Sequence, residues 1–282
     1  VGLPLSSEYI MAAIVRSLVT GYQFLMEEYA DPRVHDLPLM GSPVPIALVI
    51  LAYHYFVSTL GPRLMKERPP LDMYYPMLIY NFLQIAINGI FVYKALTLVW
   101  LPKRYNFVCE PVDYSNSPIA LEIAWYTWLY FIVKVLDLFD TVFMVLRKKN
   151  NQVTFLHKYH HIGMVIAGWV GTKYVAGGHS VFFGTVNSLV HTIMYCYYQV
   201  MLVRPEYKKD IWWKKHITEI QLIQFVVTTM HGCAGLFSTN CGFPKYLLAF
   251  FIPQDVFMFF LFLDFYRKTY RSKKSKEQDK QS

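Results

Sequence analysis

The chain has 282 residues, 55% of them from the hydrophobic set, with a mean hydropathy of +0.28 and a formal net charge of +8. Ordinary soluble domains are about half apolar even with Gly counted, and here the excess falls in blocks of roughly 17–25 residues, long enough to cross a hydrocarbon core of ~30 Å. A soluble domain is therefore excluded, and the basic charge reads as loop bias in a multi-pass membrane protein rather than as a nucleic-acid footprint.

Residues 1–40 carry apolar positions in a helical rhythm and leave through a Pro-containing turn. Arg16 and Glu27–Glu28 flank only a short apolar run there, so this lumenal segment is expected to lie as a helix on the membrane surface. Seven spans follow, at about 44–60, 76–99, 119–146, 160–175, 180–203, 217–237 and 246–266. Each must be helical, because the bilayer core holds no water to satisfy a backbone left open. The alternating ten-residue strands of a membrane barrel are absent. The expected architecture is thus an all-α membrane domain over 41–266. Residues 267–282, "RKTYRSKKSKEQDKQS", lack apolar anchors and read as a disordered basic tail.

Lys and Arg set the orientation. Arg63, Lys66, Arg68, then Arg147, Lys148, Lys149, then Arg204, Lys208, Lys209, Lys214, Lys215 and the tail all fall on one side. The other side has only Arg16, Arg33, Lys103, Arg104, Lys173 and Lys245. The basic side is then cytosolic, the N-terminus lumenal and the tail cytosolic. Cys109 and Cys241 both fall in lumenal loops, where disulfides form, so a bridge between them is expected, with Cys233 as the rival partner. Cys196, inside the fifth span, reads as a small buried hydrophobe.

Ionisable groups inside a membrane segment are costly and therefore functional candidates. Four clusters occur, each in or beside the cytosolic half of a span. "KVLDLFDT" places Lys134, Asp137 and Asp140–Thr141 at spacings of three on one helix face. "FLHKYHH" carries His157, His160 and His161 at i, i+3 and i+4, so three rings can enter one cavity. "NSLVHTIMYCYY" sets Asn187 one turn before His191, and "TEIQLIQ" stacks Thr218, Gln221 and Gln224. Two readings of the histidines compete. Imidazole clusters bind metal, and membrane di-iron desaturases and hydroxylases use H-x-x-H-H, but in three boxes with about eight histidines. This chain has nine, six of them scattered, and no second such box.

At these four clusters the sequence resembles the ELO family of very-long-chain fatty acid elongases, the membrane 3-ketoacyl-CoA synthases. The Q-x-x-F-L-H-x-Y-H-H box stands complete at Gln152, Phe155, Leu156, His157, Tyr159, His160 and His161. The N-x-x-x-H-x-x-M-Y-x-Y-Y box stands at Asn187, His191, Met194, Tyr195, Tyr197 and Tyr198, and T-x-x-Q-x-x-Q at Thr218, Gln221 and Gln224. K-x-x-E-x-x-D-T departs once, reading Lys134, Asp137, Asp140, Thr141, with Asp for Glu. The resemblance covers roughly residues 40–270.

The resemblance implies condensation of an acyl-CoA with malonyl-CoA to a 3-ketoacyl-CoA two carbons longer, in the endoplasmic reticulum membrane, with no metal and no cofactor. It favours His160 as the atom that carries the acyl group. His191 would polarise the thioester carbonyl, His157 and His161 would position substrate or move protons, and Asp140 and Asn187 would orient the rings. Lys134, Asp137, Gln152, Tyr195, Tyr198, Thr218, Gln221 and Gln224 join the expected substrate contacts. Arg147, Lys148, Lys149, Lys214 and Lys215 suit the phosphates of CoA by charge. Spans two to seven would form a helical barrel around an acyl tunnel. The expected partners are the lipid bilayer, the reductase, dehydratase and enoyl reductase of the elongation cycle, and a second copy of the chain.

Overall fold

Pro and Ser or Thr open several of the helices, and buried polar residues decide where they break. The computed structural model describes residues 7–209 and 211–271, the side chains at 208, 209, 211 and 271 excepted. In chain order the long helices are α1 (Ser7–Glu28), α2 (Val44–Met65), α3 (Tyr74–Trp100), α4 (Pro118–Leu136), α5 (Leu138–Leu146), α6 (Phe155–Tyr174), α7 (Ser180–Val203), α8 (Ile211–Phe237) and α9 (Lys245–Tyr266). No strand occurs among the described residues.

Local chemistry sets the helix starts. Ser117 Oγ accepts the Ala120 N–H at 3.2 Å, and Pro118 at the first helical position begins α4 without losing an intrahelical bond. Thr154 Oγ1 caps α6 in the same way, accepting the His157 N–H at 3.2 Å. That cap fixes the helical phase on which the histidine box depends.

Five helices are long and apolar enough to cross a membrane: α1, α2, α3, Trp212–Phe237 of α8, and Lys245–Tyr270, which is α9 with the turn beyond it. α1, expected as a surface helix, is in this group by length and composition, with 22 residues in all. α4, α6 and α7 are not in it; α6 and α7 carry the histidine box, Asn187 and His191, polar groups that dilute the apolar pattern that marks a span. The span expected at 119–146 is also not one rod. It breaks at Asp137 into α4 and α5. At the other end helical structure continues through Arg267–Arg271, into the segment read as tail, and residues 272–282 lie outside the described part.

Helix contacts run from α4 to α6, α6 to α9, α9 to α8, α8 to α7, and α7 back to α4, with α3 packed along α7 and α2 against α5. Lys94 Nζ on α3 meets Glu122 Oε1 on α4 at 2.8 Å. The apolar core of the α2–α4–α5–α6 side includes Val57, Trp128, Phe131, Leu138, Val165 and Trp169. The segment after α1 is tied over the helix ends. Trp128 and Trp169 donate their indole N–H to the carbonyls of Pro38 and Leu39, and Lys173 Nζ donates to Met40 O. Arg33 donates to both carboxylate oxygens of buried Asp31 and to the carbonyls of Asp113, Ala120 and Ala176.

Cys109 and Cys241 are bonded, their Cα atoms 5.6 Å apart, joining the α3–α4 loop to the α8–α9 loop across 132 residues. Cys233 is free. Cys196 is free and exposed, against the expectation of a buried hydrophobe, because its side of α7 faces away from the neighbouring helices. Cross-linking so distant a pair restricts the unfolded chain, worth roughly 2–5 kcal/mol for a native bridge. Cys241→Ser is therefore expected to lower the thermal midpoint of the detergent-solubilised protein. Reductant should bring the wild type down to the variant's midpoint and leave the variant unmoved, which differential scanning fluorimetry checks.

Candidate active site

Lys134, at the end of α4, is 1% exposed, and Asp137, at the break, is 3% exposed. Lys134 Nζ sits 2.9 Å from Asp137 Oδ2, 3.2 Å from Asn187 Oδ1 and 3.4 Å from His191 Nδ1. A lysine ammonium has three donors and no acceptor, so these three partners satisfy it, with the Tyr130 ring 4.9 Å away below the charge. The other carboxylate oxygen of Asp137 accepts from Gln84 Nε2 at 2.7 Å. Tyr195 OH donates to Asp140 Oδ2 at 2.7 Å, and Tyr130 OH to Asn187 Oδ1 at 2.7 Å. A spacing of three turns the Asp137 and Asp140 carboxylates to one side, into one network with Tyr195.

The histidine box faces the same region from α6. His157 Nε2 lies 3.0 Å from Thr141 Oγ1, which Tyr53 OH meets at 2.8 Å. His157 and His161 have ring centroids 4.3 Å apart, and His160 lies edge-on to His161 at 5.4 Å. A cavity of about 460 Å³ lies among α3, α4, α6, α7, α8 and α9. His160 lines it, and His157, His161 and His191 do not. Phe91, Tyr130, Gly168, Gln224 and Met258 are among its other walls.

The structure redistributes several expected roles. Asn187 and Asp140 do not hold histidine rings: Lys134 and Tyr130 occupy the amide oxygen of Asn187, and Tyr195 occupies Asp140. Thr141 is the group that meets a ring of the box. Of the Thr–Gln–Gln stripe only Gln224 lines the cavity, while Thr218 meets Tyr270 OH at 3.4 Å and Gln221 meets Met194 Sδ at 3.5 Å. Gln152 is exposed in the turn before α6, and Tyr198 stacks edge-on against Tyr195. None of the five expected phosphate ligands lines the cavity. Arg147 meets Met77 Sδ, Lys148 meets the Lys66 carbonyl, Lys215 pairs with Glu219 at 3.4 Å, and Lys149 and Lys214 are exposed.

The network also contains residues that sequence reasoning missed. Asn81, Gln84 and Asn88 on α3 are each 3% exposed or less, and Asn88 Nδ2 reaches Gln84 Oε1 at 3.1 Å. Their signal was available, since "NFLQIAIN" spaces three amides by three and four in an apolar span. Gln254 and Asp255 on α9 also line the cavity, Gln254 accepting from Tyr159 OH at 2.6 Å. Among the described residues no group of three or more His, Cys, Asp or Glu is arranged to hold a metal ion.

Helices fit to cross a membrane, gathered round a buried polar network and an internal cavity, define a multi-pass α-helical membrane protein that keeps its polar chemistry inside. Residues 38–278 match the ELO family, described as GNS1/SUR4, and the chain belongs to that family. It is 40% identical over 262 residues to a very long chain fatty acid elongase of Aedes aegypti, covering 93% of this chain and 73% of that one. It is 43% identical to very long chain fatty acid elongase 4 of Homo sapiens, over 87% of this chain and 77% of that one. Very long chain fatty acid elongase 7 of Drosophila melanogaster is 39% identical, over 91% and 78%.

Lys134→Met would strand the Asp137 carboxylate in a buried site, which costs about 3–5 kcal/mol when one partner of such a pair is removed. The variant is expected to show a clear fall in thermal midpoint, and an unchanged midpoint would contradict the buried pairing described above.

Proposed function

We propose that the chain condenses a long-chain acyl-CoA with malonyl-CoA, giving a 3-ketoacyl-CoA two carbons longer, carbon dioxide and CoA, with His160 as nucleophile. The membership of the elongase family supports the reaction. One observation supports the residue: of the three imidazoles in the box, His160 is the one on the cavity wall, while His157 is engaged by Thr141. No cysteine stands on that wall to take the acyl group.

In the first half-reaction a ring nitrogen of His160 attacks the thioester carbonyl, the C–S bond breaks, and CoA leaves as its thiol with the imidazole proton. The acyl-imidazole holds the chain in the cavity. In the second, malonyl-CoA loses carbon dioxide and its α-carbon attacks the acyl carbon, breaking the C–N bond, and the released ring takes a proton from solvent to return to neutral imidazole. Lys134 donates toward His191 Nδ1, so His191 keeps its proton on Nε2 and offers it to the thioester oxygen or the enolate. Asp137 and Asn187 hold Lys134, and through it the tautomer of His191. Gln224 contacts the substrate from α8.

Around this chemistry α3, α4 and α6 to α9 act as the barrel and the cavity as the acyl tunnel. With α2 in place and α4–α5 counted together, these make the seven spans of the catalytic domain. The segment that enters α2 is lumenal, the tail cytosolic and the membrane that of the endoplasmic reticulum. Arg147, Lys148, Lys149, Lys214 and Lys215 sit at the cytosolic mouth as contacts for the CoA phosphates. The reductase, dehydratase and enoyl reductase that finish the cycle, and a second copy of the chain, are partners in the membrane. The catalysis needs no metal or cofactor. A di-iron desaturase fits less well, since Lys134 puts a cation 3.4 Å from His191 Nδ1, where a second cation would be repelled.

Intact-mass spectrometry of the protein incubated with acyl-CoA alone tests the covalent step. The wild type is expected to gain one acyl mass, and His160→Gln to lose both the adduct and the incorporation of labelled malonyl-CoA. Robust turnover with no adduct would overturn the acyl-imidazole route.

A further inference from the structure

The cavity wall is polar again far from His160. His179 and His231 line it, at 4% and 7% exposure. His179 follows the C-terminal end of α6, and from His160 to Tyr174 that helix runs about 21 Å. The two rings stack with centroids 3.9 Å apart and planes 12° from parallel, and Phe182 covers the other face of His231 at 4.0 Å. Phe107 and Phe243, from the two loops that the disulfide joins, close around them.

Stacking accounts for the ring faces but not for the nitrogens. His179 Nε2 is 3.0 Å from the His231 carbonyl. A carbonyl can only accept, so Nε2 carries the proton and the neutral ring presents Nδ1 as a bare acceptor. His179 Nδ1 and His231 Nε2 are both buried with no hydrogen-bond partner. Buried polar atoms left in this state are uncommon and costly. Gly235 is required for the arrangement, since a Cβ there would lie 2.6 Å from His179 Nε2.

We propose that His179 and His231 form a polar subsite at the far end of the cavity that receives the hydroxyl of a hydroxyl-terminated acyl chain. The inference rests on the elongation reading for the identity of the chain and adds a substrate class to it. A terminal hydroxyl has one proton to give and donates it to His179 Nδ1, whose ring the stack with His231 holds in place. A methyl terminus of equal reach leaves both nitrogens unsatisfied. Between the two ends Ile162, Ile166 and Ala167 of α6 offer a hydroxyl nothing, and Asp255 is already taken by the hydroxyls of Thr228 and Thr229.

Non-reacting S-alkyl thioether analogues of acyl-CoA, in pairs of equal length ending in methyl or hydroxyl, provide the test by calorimetric binding to the purified protein. Short pairs are expected to favour the methyl terminus. At the length that reaches the subsite the order should reverse, with the hydroxyl form about tenfold tighter, one unit of 1.4 kcal/mol. His231→Leu and His179→Leu should each abolish the reversal. A methyl preference at every length overturns the proposal, as does a reversal that survives both substitutions, because water or another group then answers the hydroxyl. The wild-type length series decides alone if neither variant folds. Malonyl-CoA incorporation measured in parallel separates the two readings: its absence with the reversal intact would sink elongation and leave the subsite standing.

Discussion

The polar network among α3, α4, α5 and α7 is organised by one buried cation. Lys134 lies inside a helix bundle where an unpaired ammonium would be prohibitively costly, and it is tolerated because its three donors meet Asp137, Asn187 and His191. Satisfying that charge forces α4 to end where it does, brings α7 to within hydrogen-bond reach, and recruits Gln84 from α3 to the second oxygen of Asp137. Three helices are thereby locked in register by a single side chain. Asp137, where the family pattern has Glu, reaches Lys134 with its shorter arm at a separation of three, which puts the two on one helix face.

The histidine box gains its geometry from this frame. α6 docks against the α4–α5 break, Thr141 takes His157, and the phase of the helix then turns His160 to the cavity. One motif thus separates into a ring that meets the substrate space and rings that meet the protein. The cavity has His160 on its wall and, far along it, the stacked pair His179 and His231.

Much of this was legible in the chain before folding. Apolar blocks placed the helices, and the spacing of His157, His160 and His161 put three rings on one face. Placing Cys109 and Cys241 in loops on one side made them candidates for the bond the structure contains. Other features were illegible for identifiable reasons. Nothing in "KVLDLFDT" marks the interruption between α4 and α5, since Asp137 is neither Gly nor Pro and keeps helical backbone angles. The roles of Asn187 and Asp140 went to other partners because spacing fixes a face and leaves the neighbour on that face open. His179 and His231, 52 residues apart, carry no shared pattern at all.

The sequence by itself determined the helical class of the protein, its family and the residue types gathered in its interior, because hydropathy period and short motifs are local properties. Only the tertiary structure decided which imidazole borders the cavity, which partners neutralise Lys134, and that two distant histidines meet with bare nitrogens. Those outcomes depend on how neighbouring helices settle against each other once every buried charge and hydrogen-bonding group competes for a partner.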